Sequence, residues 1–96
     1  MQKIHARYTP EAANTIRKIH PQVKAHIKAA IDILCKNPFL GYALQFELSG
    51  YCSYRVKNYR VIYKYNERSA FLEVFFVGAR KDVYENFREL LLKKNL

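Results

Sequence analysis

The sequence predicts an α+β domain: an antiparallel sheet of about four to five strands packed against an N-terminal helical hairpin, with a C-terminal helix. Three observations carry this reading. Two helical patterns follow one another in the first third of the chain. Three strand patterns, joined by short polar turns, fill the second half, and a capped amphipathic segment closes it. The 96 residues are half apolar and 15% aromatic, enough for one core in a single domain over 1–96 without disulfides or metals.

The elements follow in order. Residues 3–8 alternate Ile4, Ala6 and Tyr8 with Lys3, His5 and Arg7, as in an edge or half-buried strand. Thr9-Pro10-Glu11 is a helix start, with a hydroxyl N-cap, proline at the first helical position and an acid in the first turn. That helix buries Ala12 or Ala13, Ile16 and Ile19. His20-Pro21 stops it and opens a second helix, in which Val23, Ile27, Ile31 and Leu34 recur at helical spacing. Asn37-Pro38 ends the second helix.

A connector follows, with a short strand expected at 44–48. Residues 52–57 alternate Tyr54 and Val56 with Ser53, Arg55 and Lys57, a turn is placed near Asn58, and 59–65 alternates again. A polar stretch at 66–69 fits a hairpin turn. Residues 71–77 are apolar except Glu73, as in a central strand, and Gly78 releases the backbone. Asp82 with Glu85 three positions on gives capping-box spacing for the last helix, which turns Phe87, Leu90 and Leu91 inward. Lys93 and Lys94 suit its C-terminal dipole. The hairpin is expected on one face of the sheet, leaving much of the other open.

Charge sets the class of partner. Lys and Arg number 17 against 8 Asp and Glu, a formal net charge of +9, which favours polyanions and nucleic acid first. The cations concentrate at 48–66, where Arg55, Lys57, Arg60 and Lys64 interleave with Tyr51, Tyr54, Tyr59, Tyr63 and Tyr65 and no acid intervenes. Arg80, Lys81 and Tyr84 follow a little further on. An ordinary solvated face mixes both signs. Cations beside aromatics instead suit phosphate gripping and base stacking. Arg55 and Lys57, two apart on a strand, would share a face, with Arg60 brought alongside by the turn.

Other chemistries find little support. Cys35 and Cys52 give neither a disulfide framework nor zinc spacing, so reduced thiols are expected. The start of the chain has no apolar signal core, and no run is long enough to span a membrane, which predicts a soluble intracellular protein. His5, His20 and His26 fall outside the basic cluster. Glu47 and Glu73 are isolated, and no Gly-rich phosphate loop or Ser-His-Asp pattern occurs. A nuclease built on these residues would work without a metal and without a histidine.

Leu48-Ser49-Gly50 with Tyr54-Arg55-Val56-Lys57, then Tyr59-Arg60-Val61-Ile62-Tyr63, then Val77-Gly78-Ala79-Arg80 with Val83-Tyr84 resemble, in that order, the RelE/ParE superfamily of type II toxin–antitoxin toxins. The resemblance is nearest the RelE branch, whose members cut mRNA in the ribosomal A site. It implies a ribosome-dependent, metal-independent endoribonuclease in which a 2′-hydroxyl attacks the adjacent phosphate. Lys57 would activate that hydroxyl or hold the phosphate, and Arg60 would stabilise the phosphorane. Arg80 would assist the leaving oxygen, and Tyr84 would stack on a base. Arg55 stands where the family has a lysine. Because arginine is effectively never deprotonated, Arg55 is assigned to charge stabilisation, with Lys64 and Lys81 as further phosphate contacts.

The same resemblance implies no cofactor, a cytoplasmic location and an acidic, partly disordered antitoxin. Ribosome and mRNA would be the other partners, and operator DNA would be met only through the antitoxin. Leu90, Leu91, Leu92 and Leu96 cannot all face inward, so the last helix is expected to be displaced or covered by that antitoxin. ParE-type inhibition of DNA gyrase, or an inactive member that only binds its antitoxin, are the alternatives.

Overall fold

The computed structural model describes residues 3–94. β1 (His5–Tyr8) leads into α1 (Pro10–Lys18) and α2 (Pro21–Lys36). β2 (Tyr42–Ala43) and a 3-10 turn (Phe46–Leu48) follow, then β3 (Cys52–Val56), β4 (Tyr59–Asn66), β5 (Phe71–Ala79) and α3 (Val83–Lys94). The strands form one five-stranded sheet in the order β1-β5-β4-β3-β2. Its antiparallel part is the meander β2 to β5, whereas β1 pairs parallel with β5. The two helices carry the chain to the far edge, and the meander returns to lie beside β1.

The helix starts are built from the residues that signal them. Thr9 Oγ1 accepts the Ala12 N–H at 3.1 Å with Pro10 next in line. The same hydroxyl donates to the Phe75 carbonyl at 3.1 Å, which ties α1 to β5. His20 does more than interrupt: its Nδ1 accepts the Gln22 N–H at 3.2 Å and caps α2. α1 lies on β5 and β1, and α2 lies on β1 and β3.

On that face Ala12, Ile19, Ile27, Ile31 and Leu34 meet Val56, Val61, Tyr63, Leu72, Val74 and Val77, all buried. Ala12, not Ala13, is the inward alanine. Tyr63 is fully buried and finds partners for its hydroxyl. It donates to the Pro38 carbonyl at 2.8 Å and accepts the Gly41 N–H at 3.1 Å, clamping the connector that leads into β2.

The opposite face is not left open. Ile62, Phe75 and Phe76 pack there against Val83 and Phe87 of α3, together with Leu48 and Tyr51. A β-bulge makes this possible. Ile62 pairs with Phe76 and Tyr63 with Val74, so Phe75 is an extra residue and both phenylalanines join the α3 cluster. Leu90 and Leu91 are half-buried in the same cluster, Leu92 is exposed, and Leu96 lies outside the described residues. Lys94 Nζ meets Glu11 Oε1 at 3.0 Å and Arg88 Nε meets Glu47 Oε1 at 2.7 Å, which fastens α3 to α1 and to the 3-10 turn.

Three boundaries differ from the sequence reading. The strand expected at 44–48 is instead the two-residue β2 followed by the 3-10 turn, in which Phe46 takes a φ of 56°. β3 ends at Val56. β5 runs through Gly78 to Ala79 rather than stopping before it.

Candidate nucleic-acid interface

Arg55 of β3 and Arg60 of β4 are direct cross-strand partners. They lie on the face that carries α3, because Tyr54, Val56, Tyr59 and Val61 point to the other. Arg55 is exposed and Arg60 half-buried. Like charges placed directly opposite one another destabilise a sheet by a few tenths to about 1 kcal/mol. Packing therefore does not explain the pair, whereas an anion bound between the guanidiniums would.

Val56 pairs with Tyr59, so Lys57 and Asn58 form a two-residue turn. Lys57 is thus not on the strand face with Arg55. It sits exposed at the tip with a φ of 56°, in the left-handed region, and its carbonyl accepts from Arg55 Nε at 3.4 Å. The alternation over 52–57 was one residue too long because a two-residue hairpin must reverse the chain at 57 and 58.

The turn is joined to the end of β5. The Arg80 N–H donates to the Asn58 carbonyl at 2.7 Å, and Asn58, Ala79, Arg80 and Lys81 line one groove. Lys57, Arg80 and Lys81 therefore crowd the end of the sheet nearest the Arg55–Arg60 pair. Across β4, Arg60 faces Gly78 of β5. A Cβ there would come within 2.9 Å of Val83 Cγ2 and 3.0 Å of Phe76 Cε2. Glycine thus lets α3 begin close to the sheet and leaves the space beside Arg60 without a side chain.

Tyr84, in the first turn of α3, reaches back over β3. Its hydroxyl donates to Ser53 Oγ at 3.0 Å, and Arg60 Nη1 approaches the same oxygen at 3.4 Å. The Arg60 guanidinium carbon lies 6.0 Å from the centre of the Tyr84 ring. Ser53 is fully buried, a small polar hub that sequence reasoning missed. Its one signal was its place among 52–57, two residues before Arg55 on the same face.

Lys64 does not join this group. Four residues along β4, about 13 Å at ordinary strand rise, it lies over the Tyr51 ring at 4.2 Å and pairs across the ladder with Glu73. The site thus gathers Arg55, Lys57, Arg60, Arg80, Lys81 and Tyr84, with Lys64 apart. The two salt bridges among the described residues, Arg88–Glu47 and Lys94–Glu11, use none of these cations. Burial raises the thiol pKa of Cys52, and of Cys35 with help from Asp32, so neither is an activated thiolate. Among the described residues no three His, Cys, Asp or Glu side chains come together as metal ligands.

Comparison with known proteins agrees with this architecture. The ParE-like toxin family of type II bacterial toxin–antitoxin systems matches residues 7–88. The chain belongs to that family. Among solved structures, a chain of the toxin–antitoxin complex RelBE2 from Mycobacterium tuberculosis superposes with a TM-score of 0.75 at 26% identity, covering 82% of this chain and 100% of that one. A double arginine-to-alanine mutant of the E. coli toxin RelE in the free state gives 0.77 at 14% identity, covering 99% and 100%. A YoeB/ParE toxin from Agrobacterium tumefaciens gives 0.68 at 19%, covering 79% and 98%. No curated protein sequence matches. Among the described residues no helix is long and apolar enough to cross a membrane.

Proposed function

We propose that this toxin is a ribosome-dependent, metal-independent endoribonuclease that cleaves mRNA and stops translation. The observation that carries the reading is the Arg55–Arg60 cross-strand pair, with Tyr84 beside it and further cations at the sheet end. A phosphate seated between two guanidiniums is held by paired charge-assisted hydrogen bonds. As the 2′-hydroxyl attacks, negative charge grows on the equatorial oxygens, and donors already fixed in place stabilise it without reorganising.

Arg60 takes the central role because its Nη1 donates to Ser53 Oγ and the Tyr84 ring lies 6.0 Å from its guanidinium carbon. Arg55 shares the phosphorane charge. Lys57, on the exposed turn, is the group free to approach the 2′-hydroxyl and take its proton or hold the phosphate. Arg80, its backbone held by the bond to Asn58, neutralises charge on the departing 5′-oxygen, which takes its proton from solvent water, and Lys81 holds a flanking phosphate. The products are a 2′,3′-cyclic phosphate and a 5′-hydroxyl. Tyr84 stacks on the neighbouring base.

The partner that restrains this activity is an antitoxin, as the complex formed by a similar toxin supports, and the net charge of +9 favours an acidic one. The cytoplasm, where ribosomes and mRNA are found, is the site of action. The test is end-group analysis of mRNA recovered from ribosomes exposed to the toxin. Cyclic-phosphate 3′ ends generated only when ribosomes are present support the proposal, and intact mRNA from arrested cells contradicts it.

A second reading, inhibition of DNA gyrase, is favoured by the ParE-like description of the matching family. It predicts loss of supercoiling activity with mRNA unbroken.

A further inference from the structure

We propose that Tyr42 forms a second base-stacking wall of this site, one strand outward from Ser53. The inference rests on the RNA reading above and adds a subsite to it. Tyr42 is the direct β2 partner of Ser53 in the ladder with β3. Cross-strand partners project from the same face with their Cβ atoms about 4.5–5.5 Å apart. Ser53 is the residue whose Oγ accepts from Tyr84 and from Arg60. Tyr42 therefore stands one strand outward from the hub of the site, on the face of the arginines.

The ladder fixes the layout. Gly78, Arg60 and Arg55 form one row across β5, β4 and β3, and Phe76, Ile62, Ser53 and Tyr42 form the next, ending at the sheet edge. Arg55 is the diagonal neighbour of Tyr42, about 7–8 Å away at ordinary sheet geometry. α3 brings Tyr84 across the sheet until its hydroxyl meets Ser53 of β3, and β2 brings Tyr42 to the other side of Ser53. A phosphate on the arginine row would have two aromatic rings available to its bases at the neighbouring Ser53 row.

Exposure supports this use. Tyr42 is 71% exposed, so packing does not account for a ring at this strand position. An exposed tyrosine face beside cations is the arrangement that stacks bases irrespective of sequence. The neighbouring charges favour nucleic acid over an acidic protein segment as occupant only if the bases themselves contribute, and that is what the experiment reads. The clamp of Tyr63 on Pro38 and Gly41 fixes the chain immediately before Tyr42, so the ring is presented from a held backbone.

Fluorescence anisotropy with a labelled 2′-O-methyl hexanucleotide, which offers no attacking hydroxyl, tests the assignment on the full chain. The probe is used intact and with a single abasic position moved along it. Tyr42→Ala should weaken binding of the intact probe roughly tenfold, within the range for loss of one stacked base. Tyr42→Phe should restore it. One abasic position should erase the difference between wild type and Tyr42→Ala, and a different position should do so for Tyr84→Ala. Wild-type affinity in Tyr42→Ala, with binding still lost in Arg60→Ala, overturns the subsite and leaves the RNA reading standing. Absence of any binding that depends on Arg60 also overturns the subsite, whereas the RNA reading itself falls only if ribosome-bound mRNA stays intact.

Discussion

Arg55 and Arg60 face one another across the β3–β4 hairpin, and neither is offset by an acid in a salt bridge among the described residues. In the proposed function the arrangement sets fold against activity, because the repulsion across the hairpin is what an arriving phosphate would relieve. Replacing Arg55, the exposed partner, with threonine should leave stability unchanged or raise it by a few tenths to about 1 kcal/mol. The same change should lower cleavage by about a hundredfold or more, as loss of a preorganised charge donor does. Urea denaturation and a cleavage assay on the same preparations measure the two effects. A marked loss of stability would show that the pair is structural.

Ser53 couples the halves of the site. Removing its hydroxyl leaves the Tyr84 O–H and Arg60 without their shared acceptor, so Ser53→Ala should cost about 1 kcal/mol and should slow cleavage with the fold intact. Tyr84→Phe should have a smaller effect in the Ser53→Ala background than in wild type, since both changes delete the same hydrogen bond. A double-mutant cycle on cleavage rate reads that coupling, and strict additivity contradicts it.

Gly41 has no room for a side chain, because a Cβ would overlap the buried Tyr63 hydroxyl. Gly41→Ala should destabilise by about 1–3 kcal/mol. Tyr63→Phe, which leaves the Gly41 N–H and the Pro38 carbonyl without that partner, should cost a similar amount. In the Tyr63→Phe background Gly41→Ala should be milder, because the oxygen it strikes is gone. Thermal denaturation of the three variants decides this.

The docking of α3 should depend on acid. The hydrogen bond from Lys94, chiefly, holds the Glu11 carboxyl below its ordinary value of 4.5. Backbone hydrogen bonding and Arg88 do the same for Glu47. A depressed carboxyl contributes stability above its unfolded pKa and loses it as pH falls through the folded one. α3 should therefore tighten above about pH 4.5 and loosen below it, and salt should weaken both exposed pairs. Backbone NMR relaxation of α3 at pH 6 and pH 3.5 measures this, and Glu11→Gln should abolish the part due to Lys94. Cover by antitoxin should protect the same helix, with its exposed Leu92, from hydrogen exchange.

Lys57, expected to act on the 2′-hydroxyl or phosphate, and Lys64, expected to contact phosphate, lie in different parts of the molecule. Lys57→Ala should impair cleavage, whereas Lys64→Ala should leave it within a few-fold of wild type, because Lys64 sits over Tyr51 away from the arginine row. Equal losses in the two variants would mean that the RNA path runs the length of β4.

Much of this was legible before the structure. Thr9-Pro10, His20-Pro21 and Asn37-Pro38 mark helix ends through local chemistry that needs no tertiary information, and all three hold. Arg60, Arg80 and Tyr84 stand out by residue type. Details set by pairing between distant segments were not legible. Lys57 continues the alternation of β3, and only the register with Tyr59 shows that it belongs to the turn. The bulge at Phe75 and Phe76, which turns two adjacent rings to the same face, breaks the period on which strand reading depends. Ser53 and Tyr42 gain meaning only when β3 meets α3 on one side and β2 on the other.

The most direct test of the central claim is primer extension on a defined mRNA in a reconstituted translation system, with and without ribosomes, for wild type and Arg60→Ala. Cuts at A-site codons that require both the ribosome and Arg60 are the expected result for a ribosome-dependent nuclease. Intact mRNA under conditions where the wild-type protein still stops growth contradicts it and moves gyrase inhibition to first place.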